Sequence, residues 1–289
     1  MDTHNRTAVV TGGASGIGRA IADAIVARGG RVVIADVDGA QAGRAAEAIG
    51  DNATAMVCDV RDVSAVERLA AESWALLGGV DLVFANAGVG PGAPLLKGDS
   101  AAFDFIYEVN MRGVWATCAS FARLMIAEER AGHLCITGSE HSLGMQHAGA
   151  GFYSASKAAV LGLADVLRAE MPESVGVSLL CPGLTATRLY ETGRSEDVPP
   201  PPEKATAFAK AMMDRGMDPA SVAETALEGI EDRAFIIPTN AAPRAAAEKR
   251  AAEIMAGFDR YATDTDEAGR YSVPHVMAEV RAAMKRGES

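Results

Sequence analysis

The sequence predicts an α/β fold, a doubly wound parallel sheet with helices on both faces, built as one domain. Three observations carry that expectation. Short β-branched runs alternate with longer Ala-rich stretches of helical period. Most of the short runs are apolar almost throughout, as strands covered on both faces must be. A glycine-rich turn, Thr11-Gly12-Gly13-Ala14-Ser15-Gly16-Ile17-Gly18, joins the first such run to the first helical stretch.

Strands are expected at residues 7–11, 31–36, 53–58, 81–85, 133–137, 175–181 and 235–238. Helices are expected between them, at 17–28, 39–49, 63–77, 103–129 and 153–171. Strand, helix and strand in repetition impose right-handed crossovers, and therefore parallel pairing. This core occupies residues 1–240. Residues 184–216 interrupt the rhythm with Pro199-Pro200-Pro201-Pro202 among charges, which suits an exposed excursion serving as a substrate lid. Residues 241–289 read as a helical extension of the same domain, with helices at 242–261 and 273–286.

Over 289 residues, 49% hydrophobic content against 22% charge is enough for a sizeable core. A formal net charge of -11 repels phosphate backbones and anionic lipid, so neither nucleic acid nor a membrane surface is an expected partner. Cys58, Cys118, Cys135 and Cys181 show no paired or metal-ligand spacing and read as reduced, buried thiols. Residues 1–6 lack the apolar core of a signal peptide, and no apolar stretch reaches bilayer length. A cytoplasmic protein is expected.

Glycines in the first turn let backbone N–H groups approach a pyrophosphate, which then sits on a helix N-terminus. Gly12, Ser15, Gly16, Ile17 and Gly18 are the candidates here. Asp36 ends the second strand and Val37 follows. A carboxylate at that place accepts from the adenosine ribose hydroxyls and repels a 2′-phosphate, and no Lys or Arg precedes Gly18 in the turn. NAD is therefore favoured over NADP. Asp59 and Val60 after the third strand, and Asn86-Ala87-Gly88 after the fourth, lie where strand ends face a dinucleotide.

Tyr153-Ser154-Ala155-Ser156-Lys157 puts a phenol and an ammonium one helical turn apart on one face. Lowering a phenol by about two to three pKa units takes roughly 3–4 kcal/mol. One cation at about 4 Å supplies about 4 kcal/mol at an effective dielectric of about 20. Lys157 is sufficient in magnitude to make Tyr153 an acid/base at working pH.

Taken in order, the TGGASGIG turn, Asp36, Cys58-Asp59-Val60, Asn86-Ala87-Gly88, Asn110, Ser139, Tyr153 with Lys157, and Pro182-Gly183 resemble the short-chain dehydrogenase/reductase family. The likeness spans about residues 5–240, and the T-G-x-x-x-G-x-G spacing resembles the single-domain alcohol-oxidising branch. Ala85-Asn86-Ala87-Gly88 stands where that family shows Asn-Asn-Ala-Gly. The resemblance implies a Rossmann-type fold, NAD as cofactor, and Tyr153 as the acid/base. Lys157 would hold the nicotinamide ribose, with Tyr153 beside it as a further cofactor contact, and Asn110 would kink its helix and fix a water linking Lys157 to solvent. Ser139 would orient the substrate oxygen, with Ser142 as the alternative. Pro182, Gly183, Thr185 and Thr187 would contact the nicotinamide end. A homodimer or homotetramer is implied, paired through the helices at 103–129 and 153–171.

His141 and His147 show no ligand spacing in the sequence and read as pocket lining or loop, so no metal is expected. Glu140 is either solvated or a polar contact for substrate. Met125, Met212 and Met213 read as core or lid packing. Phe152, Tyr190 and Phe208 are candidates for an apolar pocket, and the expected substrate is an apolar or aromatic secondary alcohol or its ketone. The alternatives are an epimerase or dehydratase using the same Tyr/Lys pair without net redox change, which the glycine spacing disfavours, and an NAD(H)-binding scaffold, which would not need an intact tyrosine and lysine.

Overall fold

The computed structural model describes residues 1–90, 94–191, 203–262 and 269–286. They form two compact units, Met1–Pro243 and Arg244–Ser289. The first holds a seven-stranded sheet: β1 (Thr7–Thr11), β2 (Arg31–Asp36), β3 (Ala53–Val57), β4 (Leu82–Ala85), β5 (Gly132–Thr137), β6 (Val175–Cys181) and β7 (Ile236–Pro238). Its spatial order is β3-β2-β1-β4-β5-β6-β7, every pair parallel. This is the doubly wound Rossmann-type sheet expected. Strand order reverses between β1 and β4, and the crevice at their carboxyl ends is where such sheets bind ligands.

The helices of this unit are α1 (Gly16–Ala27), α2 (Gly39–Ile49), α3 (Val63–Leu77), α4 (Ser100–Tyr107), α5 (Val114–Ala127), α6 (Gly151–Glu170), α7 (Glu203–Met213) and α8 (Pro219–Glu231). Helices α1, α2 and α8 bury Ile21, Ile25, Ala42, Val222 and Leu227 against one sheet face. Helices α3, α5 and α6 bury Leu69, Phe121, Met125 and Val160 against the other. The strands β1, β4 and β5 are buried along their whole length, which is why they read as unbroken apolar runs.

Two departures from expectation matter. The single helix expected at 103–129 is three pieces: α4, a π-helical turn over Glu108–Gly113, and α5. One extra residue in a turn leaves the apolar period almost unchanged, so periodicity did not reveal it. Helix α8 was not anticipated, although Asp218 caps it and Pro219 occupies its first turn. The excursion beginning at 184 is tied at its base: Met217 N–H donates to Leu184 O at 2.8 Å, and Ala186 N–H to Met217 O at 2.9 Å. The second unit holds α9 (Arg244–Tyr261) and α10 (Val273–Arg286), near the expected bounds. No helix among the described residues is long and apolar enough to cross a membrane.

His133 on β5 carries a pH liability away from the cavity. Ser178 Oγ gives its hydrogen to Ala234 O and so accepts from His133 Nε2 at 2.8 Å, leaving the buried Nδ1 without a partner among the described residues. Burial pushes this imidazole down to about 4 from 6.5. A depressed histidine stabilises the fold fully above its unfolded pKa, and that stability drains as pH falls from 6.5 towards 4. At about 1.4 kcal/mol per unit, His133 alone is expected to cost about 2 kcal/mol between pH 6.5 and 5. Urea unfolding at several pH values checks this: His133→Leu should flatten the slope, and an unchanged slope refutes the assignment.

Candidate active site

A cavity of about 1270 Å³ opens at the carboxyl ends of the strands, large for a single small ligand. One end of it is built by the glycine turn. Gly12 and Gly16 have φ of +62° and +54°, which L side chains rarely adopt. Gly12, Ser15, Gly16 and Ile17 line the cavity. Gly18 is buried behind them instead, because a Cβ there would lie 2.2 Å from Gly12 O and 2.5 Å from Asn86 Nδ2. Its service is to let α1 pack against the turn.

The N-terminus of α1 is left open. Asp38, Asp62, Asp99 and Asp218 accept backbone N–H bonds at the starts of α2, α3, α4 and α8. Ser15 occupies the same position on α1 and makes no such bond among the described residues. The first-turn amides thus face the cavity with their positive end of the helix dipole unneutralised, which fits a pyrophosphate.

Asp36 lines the cavity and braces the turn, accepting from Ala14 N–H at 3.1 Å and Asp38 N–H at 3.2 Å. Val37, Asp59, Val60, Ala87 and Gly88 line it too. Asp59 is not a free acceptor, however. Arg61 grips it with Nη2 2.6 Å and Nε 3.0 Å from Oδ2, and that bond holds the carboxyl below its ordinary value. Arg61 itself lines the cavity and stacks on Phe105, a role the sequence did not suggest. The Asn86 side chain is committed as well: it donates to Thr11 O and Gly12 O and accepts from Thr137 Oγ1, lacing the ends of β1 and β5 together.

The other end carries the tyrosine. Helix α6 begins at Gly151, two residues before Tyr153, so the phenol sits in its first turn rather than opening it. Ser139 caps a 3₁₀ turn, Glu140–Leu143, and both Ser139 and Tyr153 line the cavity. Burial raises the Tyr153 phenol above its ordinary value, a side-chain hydrogen bond from Ser139 pulls it down, and the Glu140 charge pushes it up. Ser142 has other duties: its hydroxyl donates to Lys157 O at 2.7 Å and accepts from Ser139 N–H at 3.2 Å. Of the two serines, Ser139 is the one facing the phenol.

Lys157 lines the cavity, but its Nζ lies 5.8 Å from the Tyr153 ring centre and donates to Thr137 O at 2.7 Å. Burial pushes it down to about 8. The expectation that this ammonium alone brings the phenol into working range is not met by this geometry: its bond goes to the strand end, and burial holds the phenol above its ordinary value. Asn110 stands behind the wall within the π-helical turn, fully buried. Its amide exchanges two bonds with Val89, at 2.8 and 2.9 Å, and donates to Ser156 Oγ, so its side chain fixes the loop after β4.

Pro182, Gly183, Thr185 and Thr187 line the cavity, and Thr187 approaches the glycine turn so closely that a Cβ on Gly16 would meet its Cγ2 at 3.0 Å. Tyr190, Phe208, Met212 and Met213 add an apolar wall. Phe152 does not: it points into the core and packs edge-on against Phe103. His141 lines the cavity edge-on to Tyr153, and burial holds it down to about 4. The fold also gathers Glu140, His141 and His147, whose donor atoms lie within 4.8 Å of one another. Linear spacing hid that juxtaposition.

Residues 6–197 match the family model described as short chain dehydrogenase. A 1-deoxy-11-beta-hydroxypentalenate dehydrogenase of Streptomyces arenae is 40% identical over 201 residues, 66% of this chain and 71% of its own. A C alpha-dehydrogenase of a Sphingobium species is 32% identical over 249 residues, 82% of this chain and 81% of its own. The crystal structure of a short chain dehydrogenase/reductase from Burkholderia phymatum, in complex with NAD, superposes with a TM-score of 0.82 at 30% identity, covering 89% of this chain and 96% of that one. The match over two thirds of the sequence and the shared sheet agree: this chain belongs to the short-chain dehydrogenase/reductase family of oxidoreductases.

Proposed function

We propose that this protein binds NAD and oxidises an apolar or aromatic secondary alcohol, or reduces the matching ketone, with Tyr153 as the acid/base. The observation that carries the reading is that Ser139, Tyr153 and Lys157 line the same cavity as the open N-terminus of α1 and Asp36. The α1 amides and Ser15 suit the pyrophosphate, and Asp36 suits the ribose hydroxyls. What NAD supplies when bound is a hydride acceptor.

The chain supplies the rest. Ser139 and Tyr153 hold the alcohol oxygen between them, and Tyr153 takes its proton as the carbinol carbon loses hydride. The bond from Ser139 favours the phenolate, and bound nicotinamide charge would act in the same direction, offsetting burial. Lys157 holds the nicotinamide ribose in this reading. Tyr190, Phe208 and Met212 cover an apolar substrate and exclude water. The crystal complex with NAD and the names of the two dehydrogenase relatives support this assignment. Exposed Trp115, Ile126 and Val166 on α5 and α6 are the surface through which we expect copies to pair.

A panel of secondary alcohols, followed by NADH absorbance, tests the reading. Stoichiometric NADH accumulation with NAD is expected, and a hydride returned to product, with no accumulation, would instead favour an epimerase. In the same assay Asp36→Ala should narrow the ratio of kcat/KM for NAD over NADP by roughly tenfold to a hundredfold. That range corresponds to losing one hydrogen bond to a charged group, about 1.5–3 kcal/mol. An unchanged ratio removes Asp36 from the ribose site.

A further inference from the structure

We propose that Glu140, His141 and His147 form a site for one divalent transition-metal ion, Zn²⁺ by its ligand chemistry, on the substrate side of the cavity. The three donor atoms lie within 4.8 Å of one another, and all three residues line the cavity. Two imidazoles and a carboxylate suit zinc with a fourth position open to water.

His141 is already held as a ligand. It is 7% exposed, and its Nδ1 lies 2.8 Å from Ser154 Oγ. That hydroxyl spends its hydrogen on Ala150 O at 2.8 Å, so it accepts from the ring, and Nδ1 carries the proton. The lone pair is left on Nε2. Metal-bound imidazoles are characteristically fixed this way, by donating the other N–H to a neighbouring acceptor.

The other two groups can close the remaining distance. A tetrahedral ion with bonds of about 2.0–2.1 Å brings its ligand atoms to about 3.3 Å from one another. His147 is exposed, with its ring centre 5.0 Å from that of His141. The half-buried Glu140 carboxylate has no hydrogen bond or ion pair among the described residues, so coordination would give it a partner. The ion would stand beside Tyr153, whose ring centre is 5.1 Å from that of His141. On the reading of the function above, it occupies substrate space and competes with the alcohol.

Equilibrium dialysis of the full chain against buffered Zn²⁺, without nucleotide, tests this independently of turnover. One ion per chain is expected, with His147→Ala and Glu140→Gln each weakening Kd at least tenfold. A second cluster, Asp2, His4 and Glu231, provides the control, and His4→Ala should leave the high-affinity ion in place. Absence of stoichiometric binding, survival of binding in His147→Ala and Glu140→Gln, or its loss in His4→Ala overturns the site. Zn²⁺ inhibition competitive with alcohol supports its position; binding without such competition places the ion elsewhere.

Discussion

Tyr153→Phe is expected to reduce NADH formation by about 10²–10⁴-fold, the range of a lost general acid/base. The substitution removes one oxygen and keeps the ring, so the edge-on contact with His141 survives. Ser139 loses its partner but remains open to the cavity, and so is not stranded in a dry core. The half of the cavity proposed for the dinucleotide, built by α1 and Asp36, is untouched. NADH binding, read by fluorescence titration, should therefore stay within about threefold of the parent, since the aromatic ring is kept and only the phenol oxygen is lost. Turnover comparable to the parent ends the proton-transfer role of Tyr153. A parallel collapse of NADH affinity shows that the phenol holds cofactor instead.

Gly18→Ala should be a damaging methyl, because among the glycines described it would meet backbone at the shortest separation. The new Cβ would stand 2.2 Å from Gly12 O and 2.5 Å from Asn86 Nδ2, and neither can yield alone. Gly12 is in the turn itself, and Asn86 ties Thr11 and Gly12 to the end of β5. Overpacking of this kind costs about 1–3 kcal/mol, and the displaced turn is the proposed pyrophosphate seat. NAD affinity is expected to fall at least tenfold, with a lower melting temperature. Gly43→Ala is the matched control. It adds the same methyl to the interior of α2, where nothing lies within 4 Å, and should stabilise by about 0.5–1 kcal/mol. Equal effects from the two changes would remove the packing argument.

The fold was legible where local chemistry and burial agree. Helices α2 and α3 fall on their expected bounds because Asp38 and Asp62 cap them and their apolar faces are regular. The break between α4 and α5 was not legible, since a π-helical turn shifts phase too little to disturb periodicity. Helix α8 was legible in retrospect from Asp218-Pro219, and the parallel pairing of β6 with β7 demands a crossover there.

In the site, types and faces could be read, whereas partners could not. The spacing of Tyr153 and Lys157 set a shared helical face, yet Thr137 at the end of β5 claims the ammonium. Asp59 was visible as a strand-end acceptor, but Arg61 occupies it through a geometry that two residues of spacing do not specify. Ser139 and Ser142 differ only in what α6 offers each of them.

The backbone ties between Met217 and residues 184–186 bring the two ends of the intervening segment side by side. A segment whose two ends are held side by side can change length between them without tugging on β6 or α8. Doubling it costs only about 0.6 kcal/mol in closure entropy. On the proposed function, exchanging this one cassette would change which molecule is accepted while leaving the scaffold beneath it as it was.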